Sequence, residues 1–139
     1  MRWPTLIVLA ATAACGPSQT TLASAEEDPA DQWSRGVWLY GQNCASCHGE
    51  SGEGGDDTPP LAGNGALPTT PREGSNRRAE FHNAADVFTY VRAQMPQLDP
   101  GSLTDDQYWA ILAYAFKEGG IALGKPPLGA HNAKTVRLH

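Results

Sequence analysis

Two cysteines and a histidine stand within five residues, in the order Cys44-Ala45-Ser46-Cys47-His48. Two thiols separated by two residues can reach the two vinyl groups on one edge of a porphyrin, and the adjacent imidazole is then delivered under the iron. The spacing therefore predicts covalent attachment of one haem c through Cys44 and Cys47, with His48 as an iron ligand.

A Cys-x-x-Cys pair also occurs in redox dithiols and in one half of a zinc site. A zinc site needs two further ligands, and the sequence has no second cysteine pair and no His-x-His cluster. A thioredoxin-type dithiol needs a βαβ pattern, whereas this sequence predicts helices separated by loops. Haem attachment explains the five residues better than either alternative.

A second axial ligand must come from elsewhere in the chain, and the candidates are Met95, His82, His131 and His139. Met95 directly follows a predicted helix and precedes Pro96, which restricts the backbone and helps to present a thioether to a flat ligand. His82 is the best ligand candidate among the three histidines, but it precedes a helix cap, where an exposed imidazole without a ligand role is the simpler interpretation. His131 and His139 lie in a tail rich in Pro and Gly. The sequence favours Met95.

Three amphipathic helices are predicted around these residues. The first covers residues 31–43 and leads directly into the cysteines. The second begins after the capping residue Asn83 and stops before the Met-Pro pair. The third begins after Thr104, which starts a capping box, and ends at Gly119. Residues 51–80 are rich in Gly, Pro, Thr and Asn and predict a long ordered loop, and no stretch alternates long enough to predict a strand.

The first 14 residues predict export. They combine one positive charge, a short apolar stretch and a run of small residues at the end, as in a signal peptide. The apolar stretch is too short to span a membrane. Residues 15–30 are predicted to form a flexible tether, because they are rich in Ser, Thr, Ala, Pro and acidic residues. The predicted location is the bacterial periplasm, or a membrane anchor facing the periplasm.

Two cleavage points compete at the end of this leader. Ala13-Ala14-Cys15-Gly16 resembles a lipobox, in which Cys15 is lipidated and attaches the chain to the membrane, although Thr12 stands where a leucine is usual. Ala23-Ser24-Ala25 offers an ordinary cleavage site that would remove Cys15. Because Cys44 and Cys47 form a self-contained pair, the odd Cys15 favours lipidation.

The rest of the chain has room for one small domain. The sequence has 139 residues, of which 40% are hydrophobic and 18% charged, a globular composition. We predict a domain over residues 31–120 and a wrapped or partly loose C-terminal tail over residues 121–139. The formal net charge of −5 would repel phosphate backbones, so the sequence argues against nucleic acid binding.

The stretch from Gly36 to Gly120 resembles a class I c-type cytochrome. The resemblance rests on an aromatic N-terminal helix, Cys-x-x-Cys-His-Gly, a Gly-rich loop ending in Pro-Pro-Leu, a Met-Pro pair and an aromatic C-terminal helix. In this chain these are Gly36 with Tyr40, Cys44 to Gly49, Gly52 to Gly54, Pro59 to Asn64, Met95-Pro96, and Pro100 to Leu103 leading into Tyr108 to Tyr114. The fold it implies is all-α, a small cytochrome c fold with three main helices and long loops wrapped around one covalently bound haem.

The resemblance also implies roles for individual residues. Pro59 would supply the backbone carbonyl that accepts a hydrogen bond from His48 Nδ1, and Leu61 would pack on the porphyrin. Gly36 would let the first and third helices cross closely, with Trp109 or Leu112 against it. Two stretches depart from the family pattern, residues 72–78 with their arginines and Phe81-His82-Asn83, and they leave the contacts of the haem propionates open.

The function implied is one-electron transfer by a carrier that is not an enzyme, because His/Met ligation leaves no free position on the iron. Its partners would be redox proteins such as a periplasmic dehydrogenase or a respiratory oxidase or reductase. Two alternatives remain open. One is a haem subunit of a larger periplasmic redox complex, and the other is a haem enzyme or gas sensor with an open sixth site.

Overall fold

Four α-helices organise the chain in the computed structural model, which describes residues 31–63, 65–124 and 127–138. The predicted signal peptide, the tether with Cys15 and the C-terminal His139 lie outside these residues. The helices are α1 (Gln32–Asn43), α2 (Ala45–His48), α3 (Ala84–Gln94) and α4 (Asp105–Glu118), followed by a 3-10 helix at Ala133–Thr135. The described residues contain no strand, only an isolated bridge between Asn83 and Arg137. The prediction of an all-α fold with three main helices is confirmed, and α2 is an additional single turn.

Hydrogen bonds from capping side chains fix where each of the three long helices begins. The Asp31 carboxylate accepts the Ser34 N–H at the start of α1. Asn83 and Asp86 form a capping box at α3, and Thr104 and Gln107 form one at α4. Each cap satisfies backbone N–H groups that have no partner within the helix. None of the described helices is long and apolar enough to cross a membrane.

Helix α4 is the centre of the fold, because the nine consecutive residues from Tyr108 to Phe116 are all buried. One side of α4 packs against Leu39 and Tyr40 of α1. The other side packs against α3, where the rings of Phe88 and Trp109 stack with their centroids 3.9 Å apart. The core therefore consists of two clusters, an α1 cluster and an α3 cluster, that share α4.

The α1–α4 crossing depends on Gly36. A Cβ at this position would overlap the Ala110 carbonyl oxygen and lie 3.0 Å from Tyr114 Cβ. The prediction that Trp109 or Leu112 lies against Gly36 is therefore wrong. Those two side chains belong to the α3 cluster on the other side of α4, since neighbouring helix positions point about 100° apart.

The C-terminal segment packs onto this core. The side-chain amide of Gln32 in α1 donates to the Leu128 carbonyl oxygen at 2.7 Å and accepts the Leu128 N–H at 2.8 Å. Near the other end of the segment, the Ala84 N–H at the start of α3 donates to the Val136 carbonyl oxygen. Leu128, Val136 and Leu138 are buried in the α3 cluster. The described part of this segment thus covers one side of the core.

We predict that Gly36→Ala lowers the free energy of unfolding by about 1–3 kcal/mol, because backbone atoms of α4 block the added methyl group and the helices must separate. Gly41→Ala is the matched control, since Gly41 lies on the same helix and its added Cβ meets nothing within 4 Å. It should be neutral or stabilising by up to about 1 kcal/mol, the difference in helix propensity. Denaturant unfolding of both holo-proteins measures this, and equal effects would contradict the close crossing.

Candidate haem site

The end of α1 delivers two thiols and an imidazole within one helical turn. The Cys44 N–H donates to the Tyr40 carbonyl oxygen at 2.8 Å, and the His48 N–H donates to the Cys44 carbonyl oxygen at 2.9 Å. The backbone hydrogen bonds therefore continue through Cys44, which joins the end of α1 to the start of α2. Cys44 is half-buried, Cys47 is exposed, and neither forms a disulfide.

The imidazole of His48 is buried, with 8% of its surface exposed. Its Nδ1 donates to the Pro59 carbonyl oxygen at 3.2 Å, which fixes the tautomer and leaves the lone pair on Nε2. Nε2 forms no hydrogen bond with any described residue. Burial lowers the pKa of His48, and the Pro59 hydrogen bond opposes part of that shift. The ring is therefore held neutral, in the form that coordinates a metal.

The loop after α2 brings Pro59 to His48 because Gly54 allows a tight turn. The Gly54 N–H donates to the His48 carbonyl oxygen at 2.8 Å, and Gly54 has a positive φ of 74°. A Cβ there would lie 2.6 Å from the Thr58 carbonyl oxygen and 2.7 Å from the Pro60 nitrogen. Only glycine fits, so the Gly-rich loop closes back over the histidine.

The same loop places Leu61 where the two core clusters meet. Leu61 is half-buried and packs against both the α1 cluster and the α3 cluster. The Leu61 N–H donates to the Gly52 carbonyl oxygen at 2.8 Å. This hydrogen bond holds the backbone of Leu61, which lies two residues after Pro59. An apolar side chain thus stands next to the segment that supports the imidazole.

The donor set fits a covalently attached haem. Burial raises the pKa of Cys44 to about 11, with a smaller contribution from Cys47, so this sulfur is held as a thiol. A zinc site would need further ligands, and no three His, Cys, Asp or Glu side chains of the described residues cluster as a metal site. Two unpaired thiols beside a neutral imidazole with a free Nε2 match thioether attachment and axial ligation.

Met95 lies at the C-terminus of α3, on a backbone held by α4. Its N–H donates to the Val91 carbonyl oxygen, and its carbonyl oxygen accepts the hydroxyl of Tyr108 at 2.7 Å. The Tyr108 oxygen in turn accepts the Gly101 N–H at 3.1 Å. Tyr108 therefore holds both ends of the segment from Met95 to Gly101, while Met95 stays half-buried.

Tyr108 was not identified from the sequence as a positioning residue. Tyr108 lies on α4, whose apolar pattern accounts for a buried aromatic ring at this position but gives no role to the hydroxyl group. The hydroxyl group itself could have indicated this role, since the hydroxyl of a buried tyrosine usually has a hydrogen-bond partner. The loop from Pro96 to Thr104 is rich in backbone groups that need such partners.

The rival histidines occupy different surroundings. The His82 imidazole is 56% exposed, and its Nε2 lies 3.1 Å from Glu80 Oε2. His131 is exposed in the C-terminal segment, beside Gly129. Neither is buried as His48 is.

Fold and site together define a small c-type cytochrome domain. Residues 31–114 match the family described as cytochrome c oxidase, cbb3-type, subunit III, and the chain belongs to this family. Its members carry covalently bound haem c, so this chain is a haem c protein of electron transfer.

Two individual proteins resemble this chain. Over 85 residues it is 31% identical to the thiosulfate dehydrogenase of Stutzerimonas stutzeri (strain A1501), covering 58% of this chain and 25% of that protein. The solved structure of the sulfane dehydrogenase SoxCD from Paracoccus pantotrophus matches with a TM-score of 0.56 and 32% identity, over 73% of this chain and 50% of that chain. The chain thus spans a quarter of the first relative and half of the second.

The hydroxyl of Tyr40 supports the haem-binding turn, because it donates to the Gly49 carbonyl oxygen at 2.7 Å. We predict that Tyr40→Phe lowers the free energy of unfolding by about 1 kcal/mol, the usual net value of one hydrogen bond. Tyr114→Phe is the matched control, since its ring contacts Tyr40 in the same cluster but its hydroxyl bonds to no described residue. Denaturant unfolding of both holo-proteins should show the larger loss for Tyr40→Phe, and the reverse order would contradict this support.

Proposed function

We propose that this chain is a single-haem, one-electron carrier whose haem is attached to Cys44 and Cys47, with His48 and Met95 as the axial ligands. The observation that carries the proposal is the buried imidazole of His48, fixed at Nδ1 and free at Nε2, immediately after two unpaired thiols. When bound, the haem supplies a one-electron couple between ferric and ferrous iron.

The residues around the site have distinct tasks in this proposal. Pro59 holds the imidazole in one orientation, and its hydrogen bond makes the imidazole a better electron donor. Tyr108 holds the Met95 backbone, which limits how far the thioether can move. Leu61 supplies apolar contact and excludes water between the two clusters. A soft thioether ligand favours the ferrous state and raises the reduction potential.

A second candidate function is a haem subunit of a larger periplasmic redox complex. The comparisons support it as well as they support the carrier, because this chain matches a quarter of one dehydrogenase and half of a chain from another. The two functions use the same haem and the same ligands. They differ in whether the carrier diffuses between partners or keeps one face against a dehydrogenase. In either case, the proposed partners are redox proteins, a dehydrogenase or a respiratory oxidase or reductase.

We further propose a periplasmic location, with the chain tethered to the membrane through a lipid on Cys15. This rests on the leader-like residues 1–14 and on the odd cysteine, which lies outside the described residues. A diacylated cysteine provides the two anchoring signals that stable membrane attachment requires. The mass of the mature N-terminus distinguishes cleavage before Cys15 from cleavage after Ala25.

Met95 distinguishes the carrier from a haem enzyme or gas sensor. We predict that Met95→Ala opens the sixth position, so that the ferrous protein binds carbon monoxide and the reduction potential falls. His82→Ala is the control and should leave the optical spectrum and the potential nearly unchanged, because that imidazole faces solvent and Glu80. Ready binding of carbon monoxide by the wild-type protein would show an open site. Loss of the low-spin spectrum in His82→Ala, but not in Met95→Ala, would make His82 the ligand.

A further inference from the structure

Two exposed apolar side chains lie on the first half of α1. Trp33 is 40% exposed and Val37 is 38% exposed, and the two residues share one face of the helix because they are one turn apart. Gly41, one turn further along, has no side chain, so this apolar face ends before the cysteines. Among the described residues, the third exposed large hydrophobic side chain is Leu98, which lies elsewhere, in the segment after Met95.

The ring of Trp33 is held in position by helix α4. The Tyr114 ring lies beside it, with the ring centres 6.5 Å apart, and Lys117 Nζ lies 4.4 Å from the centre of the indole. Lys117 and the adjacent Glu118 are both exposed. A side chain that is already ordered loses little conformational entropy when it binds something. Trp33, Val37 and Lys117 together are called the Trp33 face below.

The Trp33 face lies where the proposed tether joins the domain. Asp31 caps α1 and precedes Trp33 by two residues. Residues 16–30, which are 15 residues, separate Asp31 from Cys15. A flexible chain of this length has an average end-to-end distance of about 20 Å. A lipid on Cys15, as proposed above, therefore keeps the membrane surface within reach of the Trp33 face.

A protein partner fits this face less well than a membrane does. A stable protein interface buries roughly 800 Å² on each partner, far more than two half-exposed side chains supply. A redox partner must also approach the haem, whereas Cys44 lies 11 residues after Trp33, about 16 Å along the helix axis. A small apolar contact is sufficient only for a surface that is already held close, because the tether raises its effective concentration.

We propose that the Trp33 face docks on a zwitterionic phospholipid surface, with Trp33 and Val37 in the headgroup region and Lys117 beside the lipid phosphates. Tryptophan favours the membrane interface, and lysine can lay its stem on apolar surface while its amine stays hydrated. The contact is apolar rather than ionic, because Glu118 adjoins Lys117 and the chain carries a net charge of −5. The proposal rests on the lipid anchor proposed above. It leaves the haem-binding turn, at the other end of α1, accessible to redox partners.

The test is fluorine NMR of the lipidated ferrous holo-protein, labelled with 5-fluorotryptophan, in phosphatidylcholine nanodiscs. A small fraction of the lipid carries chelated gadolinium on its headgroup, which broadens the signals of nearby fluorine atoms. We expect the Trp33 signal to be several-fold broader in the wild-type protein than in Val37→Glu, where the added carboxylate opposes docking. Leu98→Glu is the matched control, since it exchanges an exposed apolar side chain for the same charge elsewhere, and it should match the wild type. The buried Trp109 serves as the internal reference for the fold.

Equal broadening of the Trp33 signal in the wild type, Val37→Glu and Leu98→Glu would overturn the proposal. Val37→Gln adds no charge and should show a smaller decrease, which keeps the test decisive if Val37→Glu does not fold. A wild-type protein that sediments as a dimer, and as a monomer after Val37→Glu, would assign the face to a second copy and overturn the membrane contact. A mature chain whose mass shows no lipid would remove the anchor and this docking with it. With the lipid present, failure of docking alone leaves the anchor and the electron carrier intact.

Discussion

The close approach of α1 and α4 at Gly36 is the constraint on which the other features depend. The absence of a side chain lets α1 lie against the Ala110 carbonyl, and this contact fixes the axis along which α1 runs into Cys44. Tyr40, one turn before the cysteine, is then buried against α4 and bonds to Gly49 on the far side of α2. The position of the thiols and the imidazole is thus set by a helix crossing, although they lie on a single turn.

The two proposed axial ligands are held in different ways. His48 is supported from nearby in the sequence, since the loop that follows it turns back and presents Pro59, eleven residues later, to the ring. Met95 is supported from a distance, because its carbonyl bonds to Tyr108 on α4. A loop held at both ends by one buried hydroxyl can keep a thioether in place without a rigid helix around it. Helix α4 therefore connects both sides of the site, because one of its faces contacts Gly36 of α1 and its own Tyr108 holds Met95.

Sequence reasoning captured what is encoded locally. The cap residues Asn83 and Thr104 act through neighbours three residues away, and in the structure both cap their helices as expected. The spacing of the five residues from Cys44 to His48 predicts haem attachment without reference to the rest of the chain. Long-range partners were harder to predict, because periodicity identifies a buried face and not its partner. Gly36 was correctly expected at a helix crossing but was assigned the wrong neighbours, and Gln32 gave no sign of its two hydrogen bonds to Leu128.

The central proposal is that Met95 and His48 both bind the haem iron, and one NMR signal tests it. The chain contains two methionines, Met1 in the leader-like segment and Met95, so the mature protein labelled with carbon-13 at the methionine methyl should give a single resonance. In the diamagnetic ferrous state, a methyl group bound above the porphyrin lies in its ring current. We expect the proton signal of that methyl group far upfield of the ordinary methionine range. A methyl signal at the ordinary position would show that Met95 does not bind the iron and would contradict this account.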